Sequence, residues 1–262
     1  SGLLRAQRAM SAKRGVSSET YAYGTTPFSS WAKIFDPSDE AAGSTPAFLF
    51  HMRAAIARCR DECSVDRCRY VVFGSSTGLL AFYGCLGLGL RSTGYELMPF
   101  LAHKAFATAR KFGLPLGPTL SPPQNAATAA GERPGGGHCL ELLEGDCLGA
   151  DLHDCAILLV ASQCWDLSLI KAVYLKLARE LPHGALVVDY RPGLGTYVPT
   201  EDKPADKPAD NSGEEPLGQR GACGQRQPKT GACNESLFEE LASIQTPVSW
   251  SDLQRVFVFR KR

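Results

Sequence analysis

Short, wholly apolar runs alternate along this chain with stretches whose apolar residues recur at helical spacing. Tyr70-Val71-Val72-Phe73 is apolar at every position, as in a strand covered on both faces of a parallel sheet. Leu79 to Leu90 follows as a helical run of small and apolar residues that tolerates Gly84, Gly87 and Gly89; glycine weakens a helix but lets it lie close to a sheet. Thr93–Glu96 predicts a second strand. Pro99–Gly113 predicts a second helix, with Pro at its start and Gly at its end. His138–Leu143 and Cys155–Ala161 predict strands three and four, and Ala185–Tyr190 strand five. Between the last two, Leu169, Ile170, Val173, Leu177 and Leu181 share one face of a helix over 167–181. Phe238–Thr246 and Gln254–Arg260 close the chain as a hairpin, the second strand alternating Val256 and Val258 with Phe257 and Phe259.

Strand-helix alternation implies a parallel sheet with helices on both faces, and the hairpin adds an antiparallel edge. The expected class is α/β: a Rossmann-like, seven-stranded, mostly parallel sheet with a C-terminal antiparallel hairpin. Residues 115–137, rich in Pro, Ala, Gly and Ser, and 199–234, which hold the repeat Asp-Lys-Pro-Ala-Asp-Lys-Pro-Ala-Asp, read as low-complexity inserts leaving from loops. Upstream, aromatics are scattered among turn residues, and Thr45-Pro46 starts a helix that runs to about Cys63. The division is therefore an N-terminal helical cap over 1–64 and the Rossmann-like domain over 65–262.

Composition changes this picture little. A net charge of +1 gives no global field to hold nucleic acid or an anionic membrane. No stretch approaches the roughly 20 apolar residues needed to cross a bilayer. The ten cysteines form no Cys-x-x-Cys pair, so no metal site is expected. With no secretory signal visible, they read as free thiols in a reducing intracellular compartment, nuclear or cytoplasmic. A monomer is expected.

Chemistry gathers where the strands end. Gly74-Ser75-Ser76-Thr77-Gly78 follows the first strand and Glu96 ends the second. Small residues let backbone approach a ligand, helix-start N–H groups face it, and a carboxylate at the second strand's tip suits two ribose hydroxyls. The pattern fits an adenosine-containing cofactor, although a tight turn with a solvated acid remains the plain alternative. Asp146, after strand three, reads almost equally as an adenine partner or as the cap of a short helix. Ser162-Gln163-Cys164-Trp165 follows strand four, and Trp165 serves either as a channel wall or as packing under the next helix. Asp189 reads as structural more readily than as catalytic, and Cys164 as an inert thiol.

These motifs together resemble the seven-stranded S-adenosylmethionine-dependent methyltransferases over about residues 20–261, less the two inserts. Within them the chain is most similar to the non-SET histone-lysine methyltransferases named for disrupting telomeric silencing. Tyr23-Gly24-Thr25-Thr26-Pro27 resembles their Tyr-Gly-Glu segment, Gly74–Gly78 their Gly-Ser-Gly-x-Gly, Gly94-Tyr95-Glu96 their Gly-x-Glu, Glu144-Gly145-Asp146 their Gly-Asp, and Ala161–Trp165 the segment that lines the lysine channel. The chain departs from that pattern at Thr25, Val72, Ser76 and Ala161.

The resemblance implies S-adenosyl-L-methionine as cofactor, held by Thr25, Phe73, Gly74, Ser75, Ser76, Thr77, Gly78, Glu96, Leu97, Asp146, Cys147 and Ala161. It implies Tyr23, Ser162 and Trp165 at the site of transfer, and a protein lysine, possibly in a histone, as acceptor. A methyltransferase-fold scaffold without activity is the alternative that the departures favour, and an NAD-dependent oxidoreductase is a weaker one.

Overall fold

The structure, a computed structural model, describes residues 68–114, 116–117, 140–198, 236–248 and 251–262, with Ala12, Thr26, His51, Ala54, Ala55 and Ala57 as single positions upstream. Strands β1 (Arg69–Phe73), β2 (Arg91–Glu96), β3 (Leu140–Glu144), β4 (Cys155–Val160) and β5 (Leu186–Asp189) are interleaved with helices α1 (Leu79–Phe82), α2 (Pro99–Lys111) and α3 (Leu167–Glu180). The hairpin β6 (Phe238–Val248) and β7 (Ser251–Lys261) follows. The sheet has seven strands in the order β3-β2-β1-β4-β5-β7-β6. Strands β1 to β5 pair in parallel, and β7 runs antiparallel between β5 and β6. The class expected from the alternation is the class adopted.

Alternation within each strand sorts the core into two layers, as period-two side chains must. Tyr70, Val72, Ile157, Leu159, Val188, Val256 and Val258 share one layer with Ala81 and Phe82 of α1 and with Ala105 and Ala109 of α2. Val71, Phe73, Leu158, Val160, Val187, Phe257 and Phe259 share the other with Ile170, Val173 and Leu177 of α3. Residues Tyr70 to Phe73 are completely shielded from solvent. Burial of a large apolar side chain contributes on the order of 1.5–3 kcal/mol, so β1 is the chief anchor of the motifs that leave its end.

One helix differs from its sequence pattern. The run expected to Leu90 is α-helical for only four residues and continues as a π turn, Tyr83–Gly87, with Leu88 N–H donating to Tyr83 O at 3.1 Å. The reason is visible at Gly84, whose backbone lies against the sheet. A Cβ there would sit 2.2 Å from Cδ1 of Tyr70 and 2.5 Å from Oγ of Ser92.

Cys85, Cys147, Cys155 and Cys164 form no disulfide, as expected, whereas Cys68 is disulfide-bonded, which corrects the reading of every cysteine as a thiol. Among the described residues no helix is long and apolar enough to cross a membrane, and no group of acidic, His and Cys residues is placed to hold a metal ion. The expected cap over 1–64 (single positions aside), the insert over 199–234 and nearly all of the insert over 115–137 lie outside the described residues.

Candidate functional site

The sheet changes direction of winding between β1 and β4: from β1 the chain passes to β2 on one side, and β4 fills the place on the other. In open α/β sheets the crevice at the carboxyl ends of such a pair is where ligands lie. Here the post-β1 loop forms one wall and the turn after β4 the other. The N–H groups of Gly74 and Ser75 both donate to Tyr95 O, at 3.0 and 2.9 Å, which folds the loop back over β2. Ala161 N–H donates to Phe73 O at 3.0 Å, so the second wall begins against the end of β1.

Gly74 has φ +75°, a left-handed conformation that a side chain strains. A Cβ there would meet Ala161 Cβ at 3.4 Å and Cζ2 of Trp165 at 3.7 Å. Bare backbone at Gly74 therefore lies between Ala161 and the Trp165 indole. Gly94 on β2 makes room for the loop in turn, since a Cβ would fall 2.8 Å from Cβ of Ser75, which is buried. Gly78 closes the loop onto α1 and α2, 2.7 Å from Cζ of Phe82 and 2.9 Å from Cβ of Ala105 measured from the Cβ it lacks. Thr77, next to Gly78 in the loop, is half-buried. Ser76 holds a left-handed φ of 55° without being glycine, and its Oγ is buried without a hydrogen-bond partner among the described residues.

Glu96 is buried at the tip of β2, and its carboxylate gathers the loop. Ser76 N–H donates to Oε2 at 2.7 Å and Met98 N–H to Oε1 at 2.8 Å, with a further backbone hydrogen bond from Leu97. Burial raises its pKa, and these three donors oppose that rise. A carboxylate offers about four acceptor positions, so one is left over, where the sequence suggested a grip on two hydroxyls.

At the end of β3, Gly145 N–H donates to Glu96 O at 2.9 Å, which joins the two strand ends. Asp146 Oδ1 accepts from Leu148 N–H at 2.9 Å and caps the 3-10 turn Cys147–Gly149. Of the two roles open to Asp146, capping is realised. Burial, then the neighbouring Asp146 charge, pushes the Cys147 thiol up to about 12, so it stays protonated at neutral pH.

The wall after β4 is a tight turn, with Trp165 N–H donating to Ser162 O at 3.1 Å. Ser162 is fully buried and its hydroxyl donates to Oδ1 of Asp189, facing away from solvent. Tyr174 of α3 donates to Oδ2 of the same carboxylate at 2.9 Å, and Arg191 N–H to Oδ1 at 3.2 Å. Burial pushes Asp189 up to about 6 against the pull of those donors. The Arg191 guanidinium spans the turn: Nε donates to Ser162 O at 3.2 Å, and Nη2 to Gln163 O at 2.8 Å and Trp165 O at 3.3 Å. Burial also raises Cys164, so it too is a poor nucleophile.

Tyr190 points to the other sheet face, where its hydroxyl pairs with Thr26 and with the Gln163 side chain. Beyond Arg191, a cavity of about 610 Å³ opens between α3 and the segment after β5; Lys171 and Arg191 line it and no acid does.

The loop 74–78, Glu96, Leu97, Ala161, Ser162 and Trp165 are thus brought to one edge of the sheet, with Asp146 and Cys147 at the end of β3. Tyr23 and Thr25 lie outside the described residues; the neighbouring Thr26 meets Tyr190 at this edge. Sequence reasoning passed over Thr26, Tyr174 and Arg191. For Arg191 a signal existed, a cation placed two residues beyond a strand's carboxyl end, before Pro192-Gly193.

No model of a known family matches the chain, and no curated protein matches it. Among solved structures it is similar to an RNA methyltransferase from Salinibacter ruber in complex with S-adenosyl-L-homocysteine: 20% identity over 52% of this chain and 74% of that one, TM-score 0.35. It is similar to a protein from the conversion of a disulfide bond into a thioacetal group during echinomycin biosynthesis, at 15% identity over 98% and 93% of the two chains, TM-score 0.42. It is also similar to geranyl diphosphate C-methyltransferase from Streptomyces coelicolor, at 14% identity over 70% and 63%, TM-score 0.38. The fold of this chain rests on its own strand order, β3-β2-β1-β4-β5-β7-β6.

Proposed function

We propose that this protein is an S-adenosylmethionine-dependent methyltransferase acting on a protein lysine. The observation that carries the reading is the crevice at the switch point. There, bare backbone at Gly74 faces Trp165, and Glu96 stands at the adjoining strand tip. One further feature suits an adenosine cofactor with an amino-acid tail. The buried Oγ of Ser76 is unpaired among the described residues, and buried polar atoms of that kind are normally satisfied by a partner.

When bound, the cofactor supplies an electrophilic methyl group on a sulfonium, and transfer needs alignment and exclusion of water more than acid or base. Gly74 to Gly78 would hold it through backbone, Glu96 through its remaining acceptor position, and the segment of Asp146 and Cys147 would lie nearest its adenine. Ser162 contributes no proton acceptor to the acceptor amine, because its hydroxyl is committed to Asp189. Its part is structural, and the Trp165 ring is the wall that an incoming amine would pass. An aromatic face attracts a cation and its low polarity favours the neutral amine. Approach over Trp165 is preferred to the cavity beside α3, whose Lys171 and Arg191 repel a lysine.

A second reading, a scaffold of this fold that binds no cofactor, is favoured by the three backbone donors already on Glu96. Titration with S-adenosylhomocysteine separates the two. Saturable binding, followed by labelling of a lysine in a peptide array, supports the enzyme; absence of binding supports the scaffold.

A further inference from the structure

We propose that Arg191 and Asp189 are positioning residues, which set the 162–165 turn and with it the Trp165 indole against Gly74. The inference rests on the crevice being the cofactor site.

Asp189, Tyr190 and Arg191 are consecutive at the carboxyl end of β5, so their side chains leave on alternate faces. The Asp189 carboxylate ties together three elements: Ser162 at the exit of β4, Tyr174 of α3, and the backbone of Arg191. Arg191 then returns its side chain to the same turn and donates to three of its carbonyls. Among the described residues no carboxylate lies within ion-pairing distance of its guanidinium. A planar fork spanning three carbonyl oxygens fixes orientation as well as distance, which a lysine ammonium does not. On the opposite face Tyr190 holds the Gln163 side chain and Thr26. The turn is thereby pinned from both sides of the sheet, while the indole that it carries reaches the bare backbone of Gly74.

The test compares the full chain with Arg191→Ala, Arg191→Lys and Asp189→Asn. Affinity for S-adenosylhomocysteine is read by calorimetry. Trp165 emission is read as the difference between each protein and its Trp165→Phe counterpart, which retains Trp31 and Trp250. Arg191→Ala is expected to weaken binding by about tenfold or more and to shift Trp165 emission, and Arg191→Lys is expected not to restore either. Should Arg191→Ala fold too poorly to titrate, Arg191→Lys carries the same comparison. Full-strength binding with unmoved emission in the Arg191 variants overturns the inference alone. No binding by the unaltered protein overturns the cofactor reading, and the inference with it.

Discussion

The backbone N–H of Ser76 donates to Oε2 of Glu96 at 2.7 Å, across twenty residues of sequence. The acid at the tip of β2 therefore shapes the loop after β1 before any ligand arrives. Glu96→Ala leaves the N–H groups of Ser76 and Met98 without their acceptor, at a cost of about 1–3 kcal/mol for a buried donor. Urea unfolding is expected to show that loss, and calorimetry a fall in S-adenosylhomocysteine affinity of about tenfold or more. Wild-type affinity in a folded Glu96→Ala protein would remove the acid from the site.

Ser76 itself is strained. A left-handed φ costs a non-glycine residue about 1–2 kcal/mol, whereas glycine loses roughly 0.4–1 kcal/mol through the freedom of the unfolded chain. The first effect is the larger, so Ser76→Gly is expected to stabilise the protein slightly. A raised melting temperature checks this; a lowered one shows that the Ser76 hydroxyl has a partner worth more than the strain.

Gly94 and Gly145 separate packing from mere flexibility. A Cβ at Gly94 would lie 2.8 Å from Ser75 Cβ, whereas one at Gly145 meets nothing within 4 Å. Gly94→Ala is expected to cost about 1–3 kcal/mol, as overpacked cores do, and to disturb the loop above it. Gly145→Ala should leave stability nearly unchanged, and chemical denaturation of both variants distinguishes the two sites.

Asp189 makes stability depend on pH. Its carboxyl is pushed up to about 6 by burial, above the ordinary aspartate value of about 3.9 in an unfolded chain. Between those values the folded state binds more protons than the unfolded one, so stability falls as pH rises and levels off above the higher value. Asp189→Asn keeps the shape and removes the charge. It is expected to abolish that fall and to be relatively more stable at pH 8 than at pH 4. Parallel pH curves for the two proteins would contradict the assignment.

Much of this was legible in the chain. Tyr70–Phe73 and the Val256–Phe259 alternation announce strands because both faces of each are filled by the core, and local pattern then coincides with tertiary demand. The helix after β1 was less legible. Its periodicity runs to Leu90, but close contact of Gly84 with Tyr70 and Ser92 turns it into a π segment, and contact across the sheet leaves no mark on spacing. The loop, Glu96 and the turn after β4 could be named because strand ends converge on one edge. Their partnerships could not: Ser162 meets Asp189 across 27 residues, and Tyr190 meets Thr26 across 164. Glu96 was read for its charge, whereas its three backbone donors emerge only once the loop is folded.

The most direct test is calorimetric titration of S-adenosylhomocysteine into the unaltered protein and into Gly74→Val, with melting temperatures taken alongside. A side chain at Gly74 would enter the space between Ala161 and Trp165, in a backbone conformation hostile to it. The expected result is saturable binding by the unaltered protein and none by a folded Gly74→Val. No saturable binding by the unaltered protein, or equal binding by both, would contradict an adenosine site at the β1–β4 edge.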